Sequence, residues 1–246
     1  MFHVWNKREG GKAMEVEITS FSNTFIEYLC GFTCFDTDCL MQLMEQYFIG
    51  STDRGEAIFW HINAENKVTN GHIITMDGET GKVYDGSWYY QDGRPMCLFG
   101  AHLLKDYPDK MVALVKDETT AAIMSCFHTP YLWLATGGDI LTTDHLLSLE
   151  GRTVMMFPDK GEYDGWANAA GAMTGMCVHV SDIMERSRLS FQNVAQAVLN
   201  QQPLRPITEE AVLMRMEAEN PCLEQLVNRL DLKVVSVSCA ASVRGS

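Results

Sequence analysis

The chain has 246 residues, 46% of them hydrophobic and 21% charged, so it is long enough to bury the core of one large domain or two small ones. Its 19 Lys and Arg against 32 Asp and Glu give a formal net charge of −13. This charge argues against a protein that coats nucleic acid nonspecifically, because such binding needs a basic surface. The sequence shows neither an apolar run as long as a membrane span nor a signal peptide, which predicts a cytoplasmic protein without a membrane partner.

The N-terminal third predicts a region of helices and hairpin strands. Residues 1–21 are polar and aperiodic, which predicts a disordered leader, and residues 22–95 form the helical and β-hairpin region. Apolar side chains at three- and four-residue spacing predict a helix over 37–47, ended by Gly50. Two apolar runs joined by a turn predict strands at 57–63 and 68–76.

Residues 96–187 change to alternating strands and helices. Short apolar strands are predicted at 111–115, 132–135, 153–157 and 177–180, with helices at 119–127, 141–149 and 163–173. Uninterrupted apolar strands that alternate with helices indicate an α/β fold with a parallel sheet covered on both faces. In such sheets functional groups lie beyond the carboxyl ends of the strands, which here are 116–118, 136–138 and 159–161.

The C-terminal part is more polar. Residues 188–235 predict a helical extension, with helices near 208–219 and 222–230, and residues 236–246 predict a disordered tail.

Three strings of the α/β region carry a resemblance: CLFGAHLLKDYPDKMVALVKDETTAAIMS, LWLATGG and GRTVMMFPDKGEYDGW. They resemble a toprim-like, primase-related family of uncharacterised proteins from Bacteroidetes and their mobile elements, and the similarity extends from about residue 22 to residue 232. The resemblance implies a toprim-like small parallel sheet flanked by helices over residues 96–180. It also implies an association with DNA or RNA and with replication or mobilisation proteins.

For active members, the resemblance implies a glutamate after the first strand as general acid/base and an Asp-x-Asp pair after the third strand that holds Mg²⁺. Here Lys116 occupies the position of the glutamate, and the pair retains Asp159 while its second acid is Gly161. One carboxylate holds Mg²⁺ weakly, so a degenerate site with weak Mg²⁺ binding at Asp159 is expected. The candidate catalytic residues are Lys116, Glu118 and Asp159; other acids that would substitute in part are Asp117, Glu162 and Asp164.

Two further features are candidates for contact with phosphate. Thr136, Gly137 and Gly138 would present backbone N–H groups to an anion, and Lys160 would supply a charge. The alternative for the glycines is a tight turn that needs their backbone freedom. Lys116 is a third candidate for contact with phosphate, and its alternatives are a solvated charge at the end of the strand or an ion pair with Asp159.

For the remaining candidate residues, the sequence favours structural roles. Cys30, Cys34 and Cys39 lack a close pair and a fourth ligand, so no zinc is expected and the eight cysteines are predicted to be reduced, structural thiols. Core or surface positions are predicted for His102 and His128. Aromatic side chains predicted to lie mostly in the core, with base stacking as the alternative, are Trp60, Trp88, Tyr89 and Tyr90.

Three hypotheses about function remain. The first is a primase-related, toprim-like accessory protein of DNA replication in a mobile element or phage, with a degenerate site and little or no polymerising activity. The second is a metal-dependent nuclease or nucleotidyl transferase that uses displaced acids. The third is a regulatory module that contacts protein partners only.

Overall fold

The computed structural model describes residues 19–205, except 21, 92–95, 139–144, 146–147, 172 and 174, and the backbone of three short strands before residue 18. The chain divides into two compact units, Met1–Pro203 and Leu204–Ser246. The predicted helices at 208–219 and 222–230, the predicted tail and most of the predicted helix at 141–149 lie outside the described residues.

The N-terminal half of the first unit is built on a five-stranded antiparallel sheet in the order β3-β4-β5-β6-β7. Its strands are β3 Val16–Glu17, β4 Ile49–Thr52, β5 Ala57–Ile62, β6 Val68–Met76 and β7 Val83–Trp88. The helices α1 Thr24–Cys30 and α2 Thr37–Tyr47 pack on this sheet. The strands β1 Lys7–Glu9 and β2 Lys12–Met14 pair separately. The segment predicted as a disordered leader therefore contains three short strands.

The end of α2 differs from the sequence prediction. Asp36 caps its first turn by accepting a hydrogen bond from the backbone N–H of Cys39 at 2.8 Å. The helix ends at Tyr47 because Phe48 adopts a left-handed backbone with φ of 53°, whereas Gly50 lies inside β4. The prediction that Gly50 ends the helix is wrong, because a non-glycine residue in the left-handed region already stops it.

The second half of the unit is a four-stranded parallel sheet in the order β11-β10-β8-β9. Its strands are β8 Met111–Val115, β9 Tyr131–Ala135, β10 Thr153–Met156 and β11 Cys177–Val180. Helices follow as α3 Glu118–Ser125, α4 Tyr163–Gly171, α5 Ile183–Arg186 and α6 Val194–Leu199, and a 3-10 helix, Ala101–Lys105, precedes β8. The predicted α/β class, a small parallel sheet flanked by helices, is confirmed.

The two halves share one hydrophobic core. Phe99, which lies between them in the chain, packs its ring 5.7 Å from Phe59 of β5 and 5.3 Å from Tyr47 of α2. The Tyr47 hydroxyl also donates to the carbonyl oxygen of Trp133 in β9 at 2.9 Å. The antiparallel sheet therefore holds the parallel sheet in a defined position. Within the described part of the chain, no helix has the length and apolar character needed to cross a membrane.

Candidate functional site

The candidate site lies where β8 and β10 end. These two strands are neighbours in the parallel sheet, with Leu114 opposite Met156. Their carboxyl ends are therefore adjacent, and the next residues along the chain, Lys116 and Asp117 after β8 and Asp159 after β10, meet at one edge of the sheet. Glu162, at the start of α4, completes what we call the acidic cluster: Asp117, Asp159 and Glu162 around Lys116.

Lys116 forms the central ion pair of the acidic cluster. Its Nζ lies 2.5 Å from Oε1 of Glu162, and this hydrogen bond raises the pKa of the ammonium group. The indole N–H of Trp166 donates to the other carboxylate oxygen of Glu162 at 3.3 Å. The ion pair predicted between Lys116 and Asp159 is replaced by one with Glu162, because α4 brings that carboxylate over the end of β8. Asp159 still contributes to the raised pKa of Lys116 through its charge.

The other two carboxyl groups of the acidic cluster, those of Asp117 and Asp159, have raised pKa values, so their charged forms are disfavoured. Burial and the charges of Asp117 and Glu162 raise the pKa of Asp159 to about 7, although Lys116 opposes the shift. Burial and the charge of Glu118 also raise the pKa of Asp117. One lysine therefore does not compensate all the carboxylates that surround it. Carboxyl groups with raised pKa values in a cleft are typical of functional sites, since structural surfaces seldom retain such unfavourable charges.

The described residues of the acidic cluster do not form a ready set of metal ligands. Among the residues that the structure describes, no three Asp, Glu, His or Cys side chains are placed to hold one. Glu162 is engaged by Lys116, and the raised pKa of Asp159 opposes the charged form that a metal needs.

Glu118, one residue after Asp117, lies apart from the acidic cluster and is buried. It opens α3, and only 1% of its side chain is exposed. Its Oε1 accepts hydrogen bonds from Nε2 of His61 in β5 at 2.9 Å and from Nδ1 of His72 in β6 at 3.0 Å. Burial raises the pKa of this carboxyl, but the two histidines outweigh burial and lower it to about 2. Glu118 is therefore a buried carboxylate that ties α3 to the antiparallel sheet.

The surroundings of the two histidines differ. His61 is fully buried, and its Nδ1–H donates to the carbonyl oxygen of Cys97 at 2.7 Å. His72 is 19% exposed and stacks on Trp88 with ring centroids 4.4 Å apart. The three side chains, His61, Glu118 and His72, are called the His–Glu–His clamp below. The charge of its carboxylate is one cause of the raised pKa of Asp117.

The candidate phosphate contacts are engaged within the protein. The backbone N–H groups of Gly137 and Gly138 both donate to the carbonyl oxygen of Lys116, at 3.0 and 3.1 Å. The hydroxyl of Thr136 donates to the same oxygen at 3.3 Å. Both glycines have positive φ values, 84° and 88°, as the alternative of a tight turn requires. Lys160 donates from Nζ to the carbonyl oxygens of Ser187 and Leu189, at 2.9 and 2.7 Å, so it anchors the segment before α6.

Most of the other candidates occupy structural positions. Trp60 and Tyr89 are buried in a small core on the antiparallel sheet. His102 is buried, with Nε2 bonded to the carbonyl oxygen of Gln46 at 2.8 Å, and His128 is exposed. None of the six cysteines within the described residues forms a disulfide.

Sequence reasoning missed His61 and His72. Their partner lies 57 residues from His61 in the chain, and a single sequence does not pair positions at that distance. One signal was present: His61 interrupts the apolar run Ala57–Ile62. A histidine inside a fully buried strand requires partners, because an unpaired polar group there is costly.

Comparisons with known proteins give a family and a set of similar folds. The model of a family described as a domain of unknown function, DUF6371, matches residues 23–160. No curated protein sequence matches the chain significantly.

Solved structures to which the chain is similar include DNA primase domains. The primase fragment of the bacteriophage T7 primase-helicase is 12% identical, with a TM-score of 0.40 and 65% of each chain covered. The RNA polymerase domain of Mycobacterium tuberculosis primase DnaG is 13% identical, with a TM-score of 0.37, and the match covers 76% of this chain and 71% of that one. A DnaG primase catalytic domain bound to single-stranded DNA is 14% identical, with a TM-score of 0.41 and a coverage of 77% and 66%. The chain thus spans about two thirds of the length of these domains.

Glu118→Ala is expected to destabilise the protein by about 3–5 kcal/mol, because it leaves the buried His61 and the partly exposed His72 without the carboxylate that they share. Urea denaturation at pH 7 measures this loss. Thr119→Ala, the next position of α3, is the matched control and is expected to change stability by less than about 1 kcal/mol. Equal midpoints for the two variants would contradict a stabilising role of the clamp. In the parent protein the contribution of Glu118 is present above the ordinary pKa of 4.5 and is lost as the pH falls towards 2.

Asp159→Asn is expected to stabilise the protein at pH 8 and to leave its stability nearly unchanged at pH 4. The folded state raises the pKa of Asp159 from 3.8 to about 7, so the parent loses stability as the pH rises through this window. A neutral amide removes that loss, and the expected gain is about 1–2 kcal/mol after allowance for partial exposure. Thermal melts at the two pH values test it. Asp164→Asn, at an exposed carboxylate of α4, should gain nothing at pH 8; an equal gain there would assign the effect to net charge alone.

Proposed function

We propose that this chain, which belongs to the DUF6371 family, is a primase-related, toprim-like accessory protein of DNA replication, associated with nucleic acid and built around a degenerate metal site. Its place in a mobile element belongs to the same proposal. The resemblance of its sequence motifs to the toprim-like family supports the primase-related part. The geometry of the acidic cluster supports the degenerate site.

The observation that carries the proposal is the ion pair between Lys116 and Glu162, 2.5 Å long, at the carboxyl end of β8. Lys116 stands where the resemblance implies a catalytic glutamate. Its ammonium group introduces a permanent positive charge among carboxylates, and lysine cannot act as a metal ligand while it is protonated. A cation of the protein itself therefore takes the electrostatic role that a divalent ion has in an active site of this kind.

The charges of the acidic cluster are inconsistent with efficient phosphoryl transfer. Phosphoryl transfer depends on positive charge that neutralises the developing negative charge at phosphorus. In this cluster Lys116 is committed to Glu162, and Lys160 to backbone carbonyl groups. The remaining acids would repel a phosphate. We therefore expect nucleic acid to bind to a part of the protein outside the acidic cluster. As the sequence predicts, Mg²⁺ is expected to bind weakly at Asp159, and no zinc is expected to bind.

Lys116→Glu is expected to lower the melting temperature in metal-free buffer, by an amount that corresponds to about 1 kcal/mol, because it removes the ion pair and adds a fourth carboxylate to the cluster. Mg²⁺ or Mn²⁺ is expected to restore part of the loss, since the variant recreates a multi-carboxylate metal site and metal binding stabilises the folded state. Thermal melts with and without metal test both effects.

The matched control is Lys105→Glu, which makes the same charge change at an exposed position at the end of the 3-10 helix. It is expected to melt close to the parent and to gain no specific stability from metal. If Lys116→Glu melts with the parent in both buffers, the lysine does not hold the acidic cluster together and the degenerate-site proposal is wrong.

The parent protein is expected to make no primer and cleave no strand when it is given single-stranded DNA, nucleoside triphosphates and Mg²⁺ or Mn²⁺. Turnover that disappears in Asp159→Ala would contradict the proposal and favour a metal-dependent nuclease or nucleotidyl transferase.

Binding separates an accessory protein from a module that contacts proteins only. Fluorescence anisotropy with labelled single-stranded DNA and RNA is expected to give a Kd of about 10⁻⁴ to 10⁻⁶ M in 50 mM salt, weakening towards 200 mM, as phosphate contacts require. An absence of binding to both nucleic acids at 50 mM salt would overturn the nucleic-acid part of the proposal.

A further inference from the structure

A cysteine and a histidine face solvent together on the outermost strand of the parallel sheet. Cys177 begins β11, which lies at one end of the strand order and pairs with β10. The Sγ atom of Cys177 lies 3.4 Å from Nε2 of His179, and both residues are exposed. These two residues, called the Cys–His pair below, therefore place a thiol within hydrogen-bonding reach of an imidazole at the protein surface.

The geometry of the strand fixes the orientation of the Cys–His pair. Residues two apart on a strand point to the same face of the sheet, and the residues that alternate with them point to the other face. Val178 and Val180 are those alternating residues, and they pack against the shared hydrophobic core. All four residues of β11 also pair in parallel register with β10. The backbone that carries the thiol and the imidazole is therefore held in place on both sides of the contact.

The neighbouring strand leaves the imidazole as the partner of the thiol. On β10, Thr153 lies opposite Cys177 and Met155 lies opposite His179. Neither of these two side chains titrates, so neither takes up a proton that the thiol releases. His179 does so from a position that already contacts the sulfur atom.

We propose that Cys177 is a thiol modification site, at which a low-molecular-weight disulfide such as oxidised glutathione forms a mixed disulfide with the protein while His179 accepts the thiol proton. An activated cysteine requires a base within hydrogen-bonding reach and access for the reagent, and the Cys–His pair has both. The site lies outside the acidic cluster and is independent of the function proposed there.

Other cysteines of the chain provide internal comparisons. Burial raises the pKa of the Cys97 thiol to about 11, which keeps it protonated at neutral pH. The Cys126 thiol donates to the carbonyl oxygen of Ala122 at 3.7 Å. Cys30 and Cys34 are exposed, as Cys177 is. If exposure alone decided reactivity, these three exposed thiols would react alike.

The reaction is a single thiol–disulfide exchange. Nε2 of His179 takes the proton of the Cys177 thiol, and the thiolate attacks one sulfur of the small disulfide. A new S–S bond forms to Cys177, while the old S–S bond breaks and its electron pair leaves with the second sulfur as a thiolate. That thiolate takes the proton from the imidazolium and departs as a thiol. The cysteine sulfur is oxidised, the departing sulfur is reduced, and no other reactant is needed.

The test adds oxidised glutathione to the reduced full-length protein at pH 7 and blocks the remaining thiols with N-ethylmaleimide at successive times. Mass spectrometry of unreduced peptides then gives the rate of glutathione addition at each cysteine. Cys177 is expected to be modified at least about fivefold faster than Cys30 and Cys34, because an unassisted thiol is only a few per cent thiolate at pH 7. Cys177→Ser is expected to remove this fastest adduct and to leave the rates at the other two unchanged.

His179→Asn separates the base from the exposure of the thiol, since the amide is polar but does not take up the proton. The variant is expected to slow the modification of Cys177 by at least about fivefold at pH 7. The difference should shrink at pH 9.5, where exposed thiols ionise without a neighbouring base. His128→Asn removes an exposed histidine after α3 and is the matched control, expected to leave the rate at Cys177 unchanged.

Faster modification of any other cysteine than of Cys177 at pH 7 would overturn the assignment of the site. Equal rates in His179→Asn and the parent at pH 7 would overturn the role of the imidazole as base. So would a slowing of the same size at both pH values, because it would give His179 a purely structural role. The ranking of the cysteines in the parent needs no variant, so it decides the assignment even if a variant fails to fold.

Discussion

The structure depends on one buried carboxylate. Glu118 is 1% exposed and accepts hydrogen bonds from two histidines on neighbouring strands of the antiparallel sheet, while its own backbone begins a helix of the parallel-sheet half. A buried charge is costly unless it is paired and hydrogen-bonded, so the two sheets must stay in register for this group to be tolerated. The clamp thereby fixes the first turn of α3, and with it the position of Asp117 at the end of β8.

Two carboxyl groups that follow strands of the parallel sheet, Glu118 and Asp159, have pKa values shifted in opposite directions. Burial raises the pKa of both Glu118 and Asp159, yet the histidines bring Glu118 down to about 2 and neighbouring acids take Asp159 up to about 7. The difference comes from the partners alone. The carboxylate of Glu118, whose charged form is favoured, lies between the two sheets and contributes to the stability of the fold. Asp117 and Asp159, whose charged forms are unfavourable, lie at the carboxyl end of the parallel sheet beside Lys116, which offsets part of their charge. A site that costs stability in this way is typical of function rather than of folding.

The sequence predicted the regular elements well and the partners poorly. Strands at 111–115 and 177–180 and the helix at 37–47 match the structure in full, because apolar periodicity is a local property of the chain. Strand β7 was missed, because it is exposed along almost its whole length and so lacks an apolar pattern. The ends of β8 and β10 were placed together, but the partner of Lys116 was not identified. That partner depends on how α4 packs over the sheet, which periodicity does not encode.

The geometry of α3 connects these observations. At its amino end Glu118 is held by His61 and His72, and at its carboxyl end Phe127 packs against Phe35, which lies just before α2. The helix of the parallel-sheet half is therefore fastened at both ends to elements of the antiparallel half. Packed interiors deform little, so a helix held at two points keeps its position. Asp117 directly precedes this helix, and its charge is one cause of the raised pKa of Asp159, so the packing of the two halves helps to set the electrostatic surroundings of the acidic cluster.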